Sequence, residues 1–286
     1  MTRKGLRALV TGASSGIGEA MARRLAAEGV ALVLTARREA ALEVVAAALR
    51  PLVAVDVVVA DLGQPGAAST LWQKARAGGE VDILINNAGF GYFRPFAAAD
   101  ADDARDQELL MLNVGSLVAL CKAFVTDRAS AGASGSAAHR RRHILNIASI
   151  AAYQAVPRMA LYASSKAMVR NFSEALHDEM RHTSTRVTCV CPGGTKTAFH
   201  AAAGAGDYGK IANASMMSAD AVAQVALAAM WKGKRTVIPG LVNKLSCFGV
   251  RLVPRFFASM TASWVLGQPK SGDLPARKLP SGSGDL

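Results

Sequence analysis

The chain has 286 residues, of which 51% are hydrophobic, 19% charged and 6% aromatic, and its formal net charge is +12. That apolar content excludes a disordered chain, and four cysteines over this length exclude a disulfide scaffold. The excess of 33 Lys and Arg over 21 Asp and Glu suggests a polyanionic partner, but seven of the twelve net charges lie beyond Trp231 and no nucleic-acid motif accompanies them.

A first strand over Arg7–Val10 follows Met1-Thr2-Arg3-Lys4 directly, which leaves no room for a signal peptide. No charge-free apolar run reaches 18 residues, so a cytoplasmic protein without a spanning helix is expected. The strand ends in Thr11-Gly12-Ala13-Ser14-Ser15-Gly16-Ile17-Gly18, and an amphipathic helix follows over Glu19–Glu28. Glycines at such a turn let the backbone approach a pyrophosphate, and the helix start offers free N–H groups and a positive dipole end. The spacing Gly-x-x-x-Gly-x-Gly departs from the commonest dinucleotide fingerprint, and a tight turn with close helix packing would also use these glycines. With no Gly-Lys-Ser/Thr, a P-loop is disfavoured.

The second strand, Ala31–Thr35, runs into Arg37 and Arg38, and Glu39 opens a helix to Leu49. In a dinucleotide fold this strand end faces the adenine ribose, where an acid suits the 2′-hydroxyl of NAD and an Arg the 2′-phosphate of NADP. The residues therefore favour NADP, with NADPH preferred over NADH. Further strands are expected over Val53–Val59, Val81–Ile85, His143–Ile147, Arg186–Val190 and Thr236–Ile238, and further helices over Asp103–Phe124 and Ser164–Met180. The strands read as near-continuous apolar runs, as strands covered on both faces should. The alternation implies an α/β fold: a doubly wound parallel sheet of seven strands with helices on both faces. Thr126–Ala138 reads as a surface loop, and His139-Arg140-Arg141-Arg142-His143 as its solvated edge. Cys189 and Cys191 share one strand face without making a CxxC pair, and all four cysteines read as buried thiols.

Tyr162 and Lys166 stand one helical turn apart and reach the same side. A phenol is a poor acid–base at neutral pH until a nearby ammonium favours its phenolate. Ser149 ends a strand at the carboxyl edge, where open α/β sheets bind ligands. Asn113 interrupts a helical pattern that its low propensity does not favour.

These blocks resemble the short-chain dehydrogenase/reductase family in its ordinary, non-extended, Rossmann-type form. Thr11–Gly18, Asn86-Asn87-Ala88-Gly89, Ser149 with Tyr162 and Lys166, and Pro192-Gly193-Gly194-Thr195-Lys196-Thr197 occur in the family's order, and Asp61-Leu62 matches its adenine-contacting pair. The resemblance covers about residues 5–240. It implies an NADP-dependent oxidoreductase in which Tyr162 is the general acid of carbonyl reduction and Lys166 holds the nicotinamide ribose and favours the phenolate. Ser149 would hold the substrate oxygen, and Asn113 a proton-relaying water. Cofactor contacts would come from Gly12, Ser14, Ser15, Gly16, Ile17, Gly18, Arg37, Arg38, Asp61, Leu62, Asn87, Ala88, Gly89, Pro192, Gly193, Thr195 and Thr197. Ser15 stands where many NADP-preferring members carry a basic residue, so the preference rests on Arg37, with Arg38 and Ser14 as further candidates. A homodimer or homotetramer is implied, and no metal.

The pocket segments of relatives correspond here to Phe90, Tyr92, Phe93, Tyr153, Val156, Phe199, His200, Tyr208, Met216 and Met217, an apolar set without an evident Arg cluster. A hydrophobic ketone or aldehyde fits better than a sugar or small acid. A 3-oxoacyl thioester and a non-catalytic NADP-binding regulator are the alternatives. Residues 1–267 are expected to form one catalytic domain and 268–286 a flexible tail. Segment 241–266 mixes large apolar residues with Lys244, Arg251 and Arg255. It either packs over the pocket or a subunit partner, or lies on an anionic membrane surface, and Pro254 breaks it in both cases.

Overall fold

The computed structural model describes residues 3–96, 102–130, 141–196, 216–252 and 254. Seven parallel strands form the main sheet: β1 (Arg7–Thr11), β2 (Ala31–Thr35), β3 (Val55–Val57), β4 (Ile83–Asn86), β5 (Arg142–Ile147), β6 (Thr185–Val190) and β9 (Thr236–Val237), in the order β3-β2-β1-β4-β5-β6-β9. The order reverses between β1 and β4, which pair with Leu9 opposite Leu84. Such a reversal opens the crevice in which doubly wound sheets bind ligands.

Strand alternation sends side chains to two cores. Ala8, Val10, Leu32 and Leu34 pack against α1 (Gly16–Ala27), α2 (Glu39–Leu49) and α7 (Ala219–Trp231). Leu9, Val33 and Leu84 pack against α3 (Ala67–Ala77), α5 (Ser116–Ser130) and α6 (Ala160–Glu179). A small parallel pair, β7 (Thr195–Lys196) and β8 (Met217–Ser218), leads into α7, which Ser218 caps by accepting from the Ala221 amide. The last helix, α8 (Leu241–Leu252), stops before Pro254, as that residue requires.

Four expectations need correction. The stretch 103–124 is not one regular helix: α4 (Asp103–Leu110) passes through a π-helical turn, Met111–Gly115, into α5. Such turns cluster at functional sites, and this one holds Asn113. The expected loop begins later, because α5 continues to Ser130, with the Thr126 hydroxyl donating to the Lys122 carbonyl at 2.9 Å. The basic cluster is no solvated edge at its end. Arg142 and His143 are buried in β5, with the Arg142 guanidinium 3.8 Å above the Phe124 ring and donating to the Val81 carbonyl. Helices α3 and α7 were not anticipated; α7 carries small apolar residues nearly all round, which blurs its period. Loop residues 131–138, Thr197, Phe199, His200, Tyr208 and the tail 268–286 lie outside the described residues.

Among the described residues, only Asp103–Asp127 is long and apolar enough by length and composition to cross a membrane. It buries Leu109, Leu112, Leu120 and Phe124 in the protein body, as a core helix does.

Candidate active site

At the switch point, the glycine turn and the loop after β4 lock together. Gly12 (φ 66°) and Gly16 (φ 62°) occupy the left-handed region that favours glycine. Gly18 has no space for a side chain, since a Cβ there would overlap the Gly12 carbonyl oxygen. Asn87 Nδ2 donates to the carbonyls of Thr11 (3.0 Å) and Gly12 (3.2 Å), while Thr11 Oγ1 accepts from the Asn87 and Ala88 amides. The side chain of Asn87 thus braces the turn. Ser15 is the N-cap of α1, but its side chain makes no capping bond, which leaves the first helical amides directed at the turn. Ser14 is half-buried in that turn, and Ile17 packs on the core. A bare turn toward an amide-rich helix start, closed to any Cβ at Gly18, fits the pyrophosphate of a dinucleotide.

At the end of β2, where an adenine ribose is expected, Arg37 and Arg38 are exposed, and Arg38 caps α2 through its carbonyl. Arg37 Nη1 lies 2.6 Å from Glu108 Oε1 on α4. Asp61 accepts from the Gly63 amide at 3.0 Å, and Leu62 is buried with its carbonyl accepting from Ser116 Oγ.

Three of the candidate proton-handling residues, Asn113, Tyr162 and Lys166, come together beyond Gly89. Asn113 is 1% exposed; its Oδ1 accepts from the Phe90 amide at 3.0 Å, and its Nδ2 donates to the Phe90 carbonyl and to Ser165 Oγ. A Cβ on Gly89 would fall 2.8 Å from Asn113 Oδ1 and 3.3 Å from Lys166 Nζ. Lys166 is 5% exposed and donates to the Ile147 carbonyl at 3.0 Å. Burial lowers it from 10.5 to about 8, so it still carries a proton at neutral pH. Its Nζ sits 5.8 Å from the centre of the Tyr162 ring. Gly91 lies against that ring so closely that a Cβ would come 2.6 Å from Tyr162 Cδ2. Ser149 follows β5, caps the short turn Ile150–Tyr153 and accepts from the Ala151 amide at 3.1 Å.

Beside Tyr162, Val156, Met159 and Ala163 form a small apolar cluster with Phe93 and Ala151. Phe90 is held by its backbone to Asn113. Tyr153 instead turns toward Cys191 and the Arg170 guanidinium, 4.4 Å from its ring, and burial raises its phenol far above the ordinary value. The nearby segments carry more guanidinium than their sequence positions suggested. Arg94 pairs with Asp106, which also bonds Tyr92; Arg158 lies over Phe93, and exposed Arg105 approaches Phe90 and Tyr92. Their contacts join distant segments, which residue order alone hides.

On the far side, the Pro192 carbonyl accepts from the Ile150 amide at 2.9 Å, tying this loop to the turn after Ser149. Thr195 is buried and donates to the Gly193 carbonyl. Asn243 of α8 packs on Gly193 and donates to the Pro239 carbonyl. Gly91, Ser165 and Asn243 were not anticipated; Thr11 stood at the head of the glycine block, but its hold on the Asn87 and Ala88 amides did not show there.

A family model described as short chain dehydrogenase matches residues 7–208. Sulfoacetaldehyde reductase 2 of Chromohalobacter salexigens is 35% identical over 192 residues, covering 67% of this chain and 73% of that protein. A short-chain dehydrogenase from Sphingobium yanoikuyae, solved in complex with NADPH, is 29% identical with a TM-score of 0.73, covering 86% of this chain and 94% of its own. The 3-ketoacyl-(acyl-carrier-protein) reductase of Brucella melitensis, solved with NADH, is 25% identical with a TM-score of 0.70, covering 82% and 96%.

Proposed function

This chain belongs to the short-chain dehydrogenase/reductase family and is an NAD(P)-binding oxidoreductase, and from that premise we propose that it reduces a hydrophobic ketone or aldehyde with NADPH, reversibly. The observation that carries the substrate reading is the apolar cluster of Val156, Met159 and Phe93 against Tyr162. The cofactor would supply the hydride. Tyr162 donates the proton to the carbonyl oxygen, and the Lys166 ammonium, held by the Ile147 carbonyl, favours the phenolate left behind. Ser149 holds the substrate oxygen and stabilises its developing charge. Asn113 has its side chain engaged by Phe90 and Ser165, so it acts by holding the π turn and the Phe90 wall in place. Gly12, Gly16 and Gly18 receive the pyrophosphate, and Arg37 the 2′-phosphate. Burial of all four cysteine thiols supports a reducing, cytoplasmic setting. We take residues 1–267 as one catalytic unit that assembles as a homodimer or homotetramer.

A second reading, reduction of a 3-oxoacyl thioester, is favoured by exposed Arg105 beside Phe90 and Tyr92, where an acidic carrier could rest. Turnover of NADPH and NADH against hydrophobic ketones, small aldehydes and acyl thioesters separates the two. The leading reading expects the highest kcat/KM with NADPH and an apolar ketone. A preference for acyl thioesters would replace it.

A further inference from the structure

Helix α8 turns its apolar side outward. Leu241, Leu245, Phe248 and Leu252 are 72%, 62%, 59% and 72% exposed. At helical spacing they fall within an arc of about 60°. Of the eleven large apolar side chains exposed among the described residues, five lie on this one helix, Val242 being the fifth. The opposite side holds the helix to the body through buried Asn243 and Cys247.

Exposed Lys244 and Arg251 run along one flank of the stripe. The sequence from Trp231 to Pro254 contains five cations and no acid, and it continues into Arg255, Phe256, Phe257 and Trp264. An apolar stripe beside unopposed cations matches a surface that is apolar within and anionic at its boundary. A second copy of the chain fits less well. A two-fold contact sets a patch against itself, and the helix has no carboxylate to offset its own Lys and Arg.

The helix also adjoins the candidate substrate site. Asn243 packs on Gly193, and the Arg251 guanidinium lies 5.9 Å from the Tyr153 ring, in the turn that follows Ser149. We propose that α8 docks the protein on an anionic lipid bilayer, with the entrance to the site beside the membrane. Delivery of a bilayer-dissolved carbonyl compound rests on the function proposed above; the docking itself does not.

Flotation of the full chain with vesicles of phosphatidylcholine, with and without phosphatidylserine, tests the docking. The wild type should float with anionic vesicles about tenfold more than with neutral ones, and less at high salt. Lys244→Glu should reduce flotation, and Leu245→Glu with Phe248→Glu should abolish it while the circular dichroism spectrum stays unchanged. Equal recovery on neutral and anionic vesicles, or no flotation of the wild type, overturns the proposal. So does a double variant that still floats but falls from dimer to monomer in light scattering, since the stripe would then be a subunit interface. None of these readouts requires turnover, so the docking can fail while the reductase reading stands.

Discussion

Arg37 Nη1 lies 2.6 Å from Glu108 Oε1, so the guanidinium proposed to meet a 2′-phosphate is also held by a carboxylate from α4. Both side chains are partly exposed, 56% and 29%, so the pair itself is weak. A 2′-phosphate would compete with Glu108 for Arg37 and be repelled by it. Glu108→Gln should therefore lower the KM for NADPH by about two- to fivefold and leave NADH nearly unchanged. Arg37→Asp should raise the KM for NADPH at least about tenfold. Steady-state kinetics with both cofactors checks this, and an unchanged NADPH/NADH ratio in both variants would remove Arg37 from the phosphate site.

Lys166 links the site to stability. Burial lowers its folded-state value to about 8, against 10.5 when unfolded. Between those values the unfolded chain binds the proton and the folded chain does not, so this residue makes stability rise with pH across that window. Below about pH 8 its penalty is fully present. The thermal midpoint of Lys166→Met, compared with wild type across the window, should lack that part of the rise while turnover is lost. Parallel curves would contradict the buried ammonium.

His143 acts at the acid end. Burial in β5, with Arg3, Arg141 and Arg186 nearby, lowers it from 6.5 to about 4. Its neutral form packs edge-on against Trp231 at 5.1 Å between ring centres. Its contribution is present above about pH 6.5 and is lost as the pH falls toward 4, where the folded imidazole must finally charge. The loss is at most about 3 kcal/mol. Urea midpoints for His143→Leu should fall less steeply than wild type over this range.

The sheet was legible because its strands are apolar runs separated by helical patterns: β2 and α2 begin and end where their residues suggest. The candidate catalytic set could be picked out for a different reason. Gly12, Gly16 and Gly18 allow what few other residues allow, and a Tyr one helical turn before a Lys is readable from spacing. The roles of Asn87 and Asn113 were less legible, because their amides bond backbone groups 75 and 23 residues away in sequence, at Gly12 and Phe90. Arg142 was misread because its neighbours in sequence are polar and Phe124, which it covers, comes from another element. Pairings between distant segments leave little local trace, which is also why the Arg37–Glu108 contact could not be anticipated.

The central claim is that Tyr162 supplies the proton for carbonyl reduction. Tyr162→Phe keeps the ring that packs against Gly91 and Val156 and removes only the hydroxyl. The measurement is NADPH oxidation with the best ketone of the substrate panel, alongside NADPH affinity by fluorescence. The variant should bind NADPH normally and lose at least about a hundredfold in kcat. Wild-type turnover by Tyr162→Phe would contradict the account.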